Sequence, residues 1–422
     1  MRRRLGGAAD TQSADTQSRL LVRNLAQLAT PSGAEAPLRG QALRDVTVLE
    51  DAYVLCRDGK VEALGRMSEL GPIAGDDVEE LDGRGLCAVP GLVDCHTHPA
   101  FGGERVEEFS LRAGGASYEE LHAAGGGILS TVRATRALDG DGLRARVERH
   151  AGWMLAHGTT TWEGKSGYGL DRDTELASLR AIRDARGMPT WLGAHSVPPE
   201  FDDGDAYLDF ALAEVLPGAA EVAGAADVFL ERGAFDAAQA RRYLEACRDA
   251  GLALRLHGDQ FTESGAIPLA LELGARSVDH LEATGADGAR ALAGSDVVGV
   301  LLPASALFLD RPMPPARALV DAGAAIALAT DFNPGSSFTT SLPLVCSLAC
   351  TQLHLSPAEA LSAVTVNAAH VLGLAGDRGR IAPGLRADLL LIDAPDWRYL
   401  AYHLAGDIVT AVIRDGRVAY QR

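Results

Sequence analysis

The order of apolar segments is the feature that most restricts how this chain can fold. Short runs of apolar and β-branched residues recur through the middle of the sequence. Most give way to a stretch with helical spacing and a terminal glycine, as at 173–187 and 237–251. Strands that alternate with amphipathic helices indicate βα units and a parallel sheet. The strand segments are 91–98, 158–169, 189–199, 226–235, 252–261, 277–282, 296–305 and 325–337.

Polar residues at the ends of these segments favour one parallel architecture. Eight segments match the strand number of a TIM (β/α)8 barrel, and a barrel carries its chemistry at the C-terminal ends of its strands. Nearly every segment ends in a charged or reactive group, such as "HTH", "EGK", "HGDQ" or "TD". We therefore predict an α/β fold built on a TIM barrel, although a doubly wound open sheet would produce a similar periodicity.

The two ends of the chain have a different sequence pattern, in which short β-type segments are separated by turns. The sequences "RDGK" at 57–60 and "RDGR" at 414–417 are typical of β-hairpin turns. We expect residues 19–88 and 375–422 to form one small β-sandwich domain beside a barrel of residues 89–374. Residues 1–18 contain the polar duplication "ADTQSADTQS" and are predicted to be a disordered extension.

Charge and composition exclude several classes of partner. A formal net charge of −18 argues against binding to nucleic acid or anionic lipid, and an anionic substrate would need a local cation. The longest apolar stretch, 297–309, is too short to cross a bilayer, and the basic start "MRRRLGGAAD" lacks the apolar core of a secretory signal. The six cysteines show no paired spacing, which is typical of reduced thiols. We expect a soluble, cytoplasmic protein.

A metal centre is the chemistry that the strand ends favour. Side chains two residues apart in a strand point to the same face, so His96 and His98 in "GLVDCHTH" aim at one point. His257 and Asp331 come where the apolar runs of the fifth and eighth segments end. Three imidazoles and a carboxylate suit Zn²⁺, with iron as the alternative. Asp331 could also accept a proton from a water that the metal activates.

Each candidate ligand also has a plainer interpretation. A single histidine at a strand end is more often a hydrogen-bonded structural residue, and a His-x-His pair can arise by chance. The metal interpretation gains weight because His280 ends a further strand segment, so that five such residues share one edge of the predicted barrel. The remaining histidines lie in helical or peripheral contexts and are expected to be packing or surface residues: His122, His150, His157, His354, His370 and His403.

Longer motifs carry a resemblance to a known family. They run in order from about residue 90 to 340 and include "PGLVDCHTHPAFGGERVEEFSLRAGGASYEEL", "KSGYGLD", "GAHSVPPE", "HGDQFTESGA", "SVDHLEATG" and "TDFNPGSS". With these motifs the chain resembles the amidohydrolase superfamily of metal-dependent hydrolases and, within it, the imidazolonepropionase family. The resemblance implies hydrolysis of the cyclic amide of 4-imidazolone-5-propanoate to N-formimidoyl-L-glutamate during histidine degradation, and a homodimer.

The resemblance also implies the cofactor. It indicates one Zn²⁺ or Fe³⁺ per subunit, held by His96, His98, His257 and Asp331. Relatives with two metals bridge them through a carboxylated lysine on the fourth strand, where this chain has Glu231. A mononuclear site is therefore expected.

Further residues are implied as contacts of the substrate. Arg105 of "FGGER" would bind the propionate group, and the alternative for Arg105 is a surface salt bridge with Glu104, Glu107 or Glu108. The other substrate-binding residues that the resemblance implies are Tyr118, Tyr168, His195, Gln260, Asn333, Gly335 and Ser336.

Position 260 departs from the commoner family pattern. Many members have glutamate where this chain has Gln260, and a glutamine can hydrogen-bond the ring but cannot shuttle a proton. We therefore expect three catalytic residues: Asp331 and His280 for proton transfer, and Gln260 for a hydrogen bond to the ring. His280 with the metal would also stabilise the oxyanion. Two rival functions remain open: an aminohydrolase of the same superfamily that deaminates another nitrogen heterocycle, and a catalytically inactive barrel that serves as a scaffold.

Overall fold

The structure, a computed structural model, describes residues 19–33, 35–73, 78–115 and 126–422. The extension predicted over residues 1–18, Tyr118 and His122 lie outside these ranges. Two separate sheets contain the strands, which are β1 Arg19–Pro31, β2 Val46–Arg57, β3 Lys60–Arg66, β4 Val78–Asp82, β5 Cys87–Pro90, β6 Leu92–Asp94, β7 Thr159–Lys165, β8 Met188–Ala194, β9 Ala225–Leu230, β10 Ala253–Gly258, β11 Ser277–His280, β12 Val298–Leu301, β13 Ile326–Leu328, β14 Leu389–Ile392, β15 Val409–Arg414 and β16 Arg417–Gln421.

Most helices follow the barrel strands along the chain. They are α1 Val106–Ala113, α2 Ile128–Arg136, α3 Gly140–Ala156, α4 Arg172–Asp184, α5 Gly204–Phe210, α6 Leu216–Ala220, α7 Ala237–Asp249, α8 Ala266–Leu273, α9 Ala286–Ala293, α10 Pro303–Phe308, α11 Ala316–Ala322, α12 Leu342–Thr351, α13 Pro357–Ala363, α14 Val366–Val371 and α15 Tyr399–Tyr402. Short 3₁₀ turns occupy Gly40–Arg44 and Met67–Glu69, and a π turn occupies Ala211–Val215. None of the helices in the described ranges is long and apolar enough to cross a bilayer.

The barrel consists of β6 to β13, which pair in parallel and in chain order. A doubly wound sheet would reverse its strand order at a switch point, so this order distinguishes the two predicted architectures. The first and last strands meet just beyond their ends, where Asp331 N donates to His96 O at 3.0 Å and His98 N donates to Phe332 O at 2.9 Å. The predicted eight-stranded barrel is confirmed, and the contacts that close it involve three of the candidate metal ligands, His96, His98 and Asp331.

The second sheet joins the two ends of the chain, as predicted. Its strand order is β16-β15-β14-β5-β1-β2-β3, with β4 paired to β1, so all of these strands belong to one mixed sheet. Both hairpin predictions are confirmed, because Asp58, Gly59, Asp415 and Gly416 all have the positive φ that a type I′ turn requires. Strand β5 belongs to this sheet and spans Cys87–Pro90, so it crosses the predicted boundary between the two domains at residues 88 and 89.

Helix α4 illustrates why the helical stretches pack onto the barrel. The Asp171 side chain caps it by accepting a hydrogen bond from the backbone N–H of Thr174 at 2.9 Å. Leu176, Leu179 and Ile182 recur at helical spacing and are buried on its inner face. Burial of each such side chain stabilises the fold by roughly 1.5–3 kcal/mol, and it fixes the helix on the outside of the barrel.

Candidate active site

The polar residues at the ends of the barrel strands come together at one buried point. His96 and His98 follow β6, His257 lies in β10, His280 ends β11 and Asp331 follows β13. All five side chains are buried. Four of them, all but His96, line a cavity of about 530 Å³ that opens at the C-terminal end of the barrel. The structure therefore brings together all five polar residues that the sequence placed at this edge.

The distances among the candidate ligands fit a single metal ion. His98 Nε2 lies 3.2 Å from His96 Nε2 and 3.4 Å from His257 Nε2. Asp331 Oδ1 lies 3.5 Å and 3.4 Å from the Nε2 atoms of His96 and His98. Tetrahedral zinc ligands at their usual bond lengths stand roughly 3.3 Å apart. Three imidazoles and a carboxylate at this spacing form a suitable donor set for a borderline metal.

Two carboxylates behind the histidines set their orientation. Asp279 Oδ2 lies 2.6 Å from His96 Nδ1, and Asp227 Oδ1 lies 3.1 Å from His257 Nδ1. An ionised carboxylate can only accept, so each Nδ1 carries a proton and each Nε2 is the ring nitrogen that faces the centre. The sequence reasoning missed Asp227 and Asp279; the signal available was an acidic residue in the middle of an apolar strand.

A fully buried lysine holds these carboxylates in place. Lys165 Nζ lies 2.7 Å from Asp227 Oδ2, 2.7 Å from Glu163 Oε1 and 3.9 Å from Asp279 Oδ2. Burial lowers the pKa of Lys165, but the three negative charges outweigh burial, so its pKa lies above the ordinary value. Arg255 adds a second cation, with Nη1 3.3 Å from Glu163 Oε1. The sequence identified "EGK", residues 163–165, as a polar strand end but did not predict that Lys165 pairs with buried carboxylates.

Asp331 is held by the loop that follows it. Asn333 Nδ2 donates to Asp331 Oδ1 at 3.0 Å, and Ser336 Oγ donates to Asp331 Oδ2 at 3.2 Å. Asn333 Oδ1 in turn accepts from the backbone N–H groups of Gly335 and Ser336, each at 2.8 Å. Burial opposes ionisation of Asp331, yet hydrogen bonds with His96 and His98 keep its pKa well below the usual range. The carboxylate is therefore fixed and ionised.

Two residues at the centre adopt strained backbone conformations. His280 has a φ of 86° and Asp331 has a φ of 52°, in the left-handed region that non-glycine residues seldom occupy. His280 Nδ1 lies 3.3 Å from Glu282 Oε1, a buried carboxylate that the sequence reasoning did not consider. The His280 ring centroid lies 5.3 Å from that of His257. Strain of this kind is typical of sites where the surrounding structure imposes a geometry.

The residues that the resemblance implies as substrate contacts, apart from Tyr118, line the same cavity. They are Arg105, Tyr168, His195, Gln260, Asn333, Gly335 and Ser336. Tyr118 lies outside the described residues. The cavity is large enough for a small heterocyclic acid, and it has the candidate metal ligands at its base.

Arg105 is held at one side of this cavity. Its Nε donates to Thr131 Oγ1 at 3.1 Å, and Nη1 lies 3.4 Å from Glu108 Oε1. The ion pair considered as an alternative thus exists with Glu108, but the side chain still lines the cavity. A methyl group at position 335 would collide with the guanidinium, so Gly335 is the residue that admits Arg105 to this position.

Tyr168 and His195 form an uncharged wall beside the metal centre. His195 Nδ1 lies 2.9 Å from the carbonyl oxygen of Gly167 and therefore donates to it. Burial, with the nearby charge of His98, lowers the pKa of His195 to about 3, so its imidazole is neutral. Burial raises the pKa of Tyr168 above its ordinary value, which keeps the phenol protonated. The two rings lie 5.3 Å apart between centroids.

Glu231 occupies the strand position where two-metal relatives carry a modified lysine. Its carboxylate accepts hydrogen bonds from the backbone N–H of Phe261 at 2.8 Å and of Thr262 at 3.2 Å, and from the Thr262 hydroxyl. Glu231 therefore braces the loop after β10. Nothing in these contacts directs its carboxylate to the candidate metal ligands.

Comparisons with known proteins agree with this geometry. Residues 87–419 match the model of the Amidohydrolase family. The chain is 60% identical to an imidazolonepropionase of Rubrobacter xylanophilus over 94% of this chain and 97% of the relative. It is 45% identical to an imidazolonepropionase of Chloroflexus aggregans, covering 94% and 98% of the two chains. For one from Porphyromonas gingivalis the identity is 40%, with 95% and 97% covered.

Solved structures show the same fold at much lower identity. An E. coli guanine deaminase superposes with a TM-score of 0.75 at 16% identity, covering 97% of this chain and all of that one (100%). A triazine hydrolase from Arthobacter aurescens superposes with a TM-score of 0.71 at 17% identity, covering 96% and 95%. From the family match and the close relatives, the chain belongs to the amidohydrolase family and, within it, to the imidazolonepropionases.

Proposed function

We propose that this chain hydrolyses the cyclic amide C–N bond of 4-imidazolone-5-propanoate to give N-formimidoyl-L-glutamate, a step in the degradation of L-histidine to L-glutamate. The observation that carries the proposal is the 60% identity to an imidazolonepropionase over 94% of this chain. The cavity supports it, because one cationic side chain, Arg105, and the group of candidate metal ligands line the same small space.

We propose one metal ion per subunit, Zn²⁺ or alternatively Fe³⁺, held by His96, His98, His257 and Asp331. The support is the spacing of 3.2–3.5 Å in four pairs of their Nε2 and Oδ1 atoms, namely His96–His98, His98–His257, His96–Asp331 and His98–Asp331. When bound, such an ion lowers the pKa of a water molecule and polarises a carbonyl oxygen. Asp227 and Asp279 accept hydrogen bonds from Nδ1–H of His257 and His96, which orients the Nε2 atoms of both rings towards the candidate metal position.

The reaction adds one water across the ring amide. The water oxygen bonds to the carbonyl carbon, the C–N bond breaks, and one proton goes to the leaving nitrogen. Asp331, ionised and fixed by Asn333 and Ser336, is the group that accepts the proton from water and delivers it to that nitrogen. His280 stabilises the negative charge that develops on the carbonyl oxygen. Gln260 hydrogen-bonds the ring without taking part in proton transfer.

The other cavity residues orient the substrate. Arg105 pairs with the propanoate carboxylate through the guanidinium N–H groups that Thr131 and Glu108 leave free. Tyr168 donates its phenolic hydrogen, and neutral His195 contacts the substrate beside it. Asn333, Gly335 and Ser336 contact the ring or the opened product from the opposite loop.

A two-part assay tests this function against its rivals. Purified protein is incubated with 4-imidazolone-5-propanoate, and the loss of imidazolone absorbance is followed together with released ammonia and bound metal. The proposal expects ring opening, N-formimidoyl-L-glutamate as product, no ammonia and one metal per chain. Release of ammonia from a different heterocycle would support a deaminase. A protein that holds no stoichiometric metal and opens no ring would instead be a scaffold.

We further propose a cytoplasmic homodimer. All six cysteines are free thiols, which agrees with a reducing compartment. The dimer is carried over from the family resemblance and is tested by light scattering of the purified protein, where a mass of one chain would contradict it.

A further inference from the structure

Three arginines at the mouth of the cavity have no carboxylate partner among the described residues. Arg112, Arg232 and Arg311 line the same cavity as Arg105. Elsewhere many arginines form ion pairs, as Arg241 does with Glu272 at 2.6 Å. Unpaired arginines gathered at one opening are unexpected in a chain with a formal net charge of −18.

The three side chains come from different parts of the barrel rim. Arg112 lies in α1 after the first barrel strand, Arg232 follows the fourth strand β9, and Arg311 follows the seventh strand β12 and the short helix α10. Because the strands are arranged in chain order around the barrel, these positions are spread around the opening. Three separate segments of the barrel rim therefore supply cations to this one opening.

Two of the guanidinium groups are supported by aromatic rings. The Arg112 guanidinium lies 4.6 Å from the centroid of the Phe308 ring, and that of Arg311 lies 5.1 Å from the centroid of Phe261. Stacking on a ring holds an arginine in position and leaves its N–H groups at the edge free for an anion. This support distinguishes the two residues from unrestrained surface arginines.

Acidic groups at the same opening are few. Among the described residues that line the cavity, the carboxylates are Glu108, which pairs with Arg105, and Asp331 at the metal centre. The net charge of the chain as a whole repels an anionic substrate at long range. Positive charge at the opening reverses that repulsion locally and raises the concentration of anions there.

We propose that Arg112, Arg232 and Arg311 form an electrostatic collar that draws carboxylate-bearing ring compounds into the cavity and favours them over neutral ones. The inference rests on the proposed function, in which the substrate carries a propanoate and the product carries two carboxylates. The collar and Arg105 have different roles. Arg105 binds the substrate carboxylate inside the cavity, whereas the collar raises the rate at which the anionic substrate enters the cavity.

The test uses the full-length, metal-loaded enzyme with each arginine replaced by glutamine, singly and together. Arg180→Gln is the matched control, because Arg180 is exposed on α4, away from the cavity, and its replacement removes the same charge. kcat and kcat/KM for 4-imidazolone-5-propanoate are measured between about 0.01 M and 0.5 M salt, where the Debye length falls from about 30 Å to a few Å.

The collar predicts that the triple variant loses roughly tenfold in kcat/KM at low salt and little at high salt, with kcat unchanged. Arg180→Gln should behave as the parent enzyme. The amide of the substrate, which lacks the carboxylate charge, should be turned over equally by the parent and the triple variant. A triple variant with the parental kcat/KM and salt dependence would overturn the proposal, as would a loss of equal size at all salt concentrations.

A binding measurement keeps this inference separate from the proposed function. Glutarate, a simple dicarboxylate, is titrated calorimetrically into the parent, the triple variant and Arg180→Gln at low salt. Several-fold weaker binding in the triple variant alone supports the collar even if the parent fails to open the imidazolone ring. Equal affinities in all three proteins overturn the collar even if the ring is opened.

Discussion

Replacement of Lys165 by methionine tests the buried network that supports the metal centre. The Lys165 side chain is fully buried and lies 2.7 Å from both Asp227 and Glu163. Methionine has a similar length and keeps the packing, but it removes the positive charge. The change therefore isolates what the charge contributes.

The expected loss of stability follows from the burial of the partners. Removing one member of a buried ion pair costs about 3–5 kcal/mol, since the remaining carboxylates stay buried without a counter-charge. Folded domains are typically stable by about 5–15 kcal/mol, so Lys165→Met should shift urea unfolding of the metal-free protein strongly. The affinity for metal should fall as well, roughly 10- to 100-fold, because Asp227 orients His257 and Asp279 orients His96.

A second buried carboxylate provides the control for this experiment. Glu359 is fully buried and pairs with Arg44 and Arg317, each at 3.0 Å, in helix α13 and away from the cavity. Glu359→Gln should also lose stability, but its metal affinity, measured by competition with a chelator, should equal that of the parent. A Co²⁺ absorption spectrum altered in Lys165→Met and not in Glu359→Gln would report changed ligand geometry directly. Parental metal affinity in folded Lys165→Met would refute the reasoning.

Three other substitutions and one pH series test the remaining assignments. Asp331→Ala removes a ligand and the proton acceptor together, so turnover should fall by more than roughly 100-fold, and retention of a few per cent of activity would contradict the assignment. Arg105→Ala should raise KM roughly 10- to 100-fold through loss of a charged hydrogen bond, with kcat little changed; unchanged kinetics would mean that the carboxylate binds elsewhere. Gly335→Ala should raise KM in the same direction, because its methyl group displaces the guanidinium. Burial lowers the pKa of His150 from 6.5 to about 4, so the unfolded chain takes up the proton at a higher pH than the folded chain. The free energy of unfolding should therefore fall by about 3 kcal/mol as the pH drops from 6.5 to below 4. Urea unfolding at a series of pH values should show a smaller fall in the His150→Gln variant.

The barrel could be predicted from the sequence because its signals are local. The period of two that places His96 and His98 on one face is a property of any strand. Likewise, the rule that polar groups at strand ends share one edge of a barrel needs no knowledge of distances. These two regularities were sufficient to predict that His257 and Asp331 would lie beside the His-x-His pair, and the structure places His98 Nε2 within 3.4 Å of the Nε2 atoms of His96 and His257 and of Asp331 Oδ1.

The supporting network could not be predicted in the same way. Lys165, Asp227 and Asp279 lie on the second, fourth and sixth barrel strands, and no local pattern states which of them will touch across the interior. Their contacts depend on how far each strand is shifted along the barrel axis, which the sequence does not display. Similarly, the hydrogen bonds from Asn333 and Ser336 to Asp331 depend on the path of a single loop.

The charges of this network favour a cation at its centre. Four carboxylates, those of Glu163, Asp227, Asp279 and Asp331, face only two permanent cations, Lys165 and Arg255, so the buried cluster has an excess of two negative charges. In the absence of metal a proton supplies part of this charge: Asp279 and Asp331 raise the pKa of His96 to about 9, although burial and Lys165 oppose them. A divalent ion balances the excess fully and must displace that proton, so metal binding is coupled to proton release and to the stability of the barrel. The carboxylates that orient the imidazoles therefore also couple the stability of the fold to metal binding.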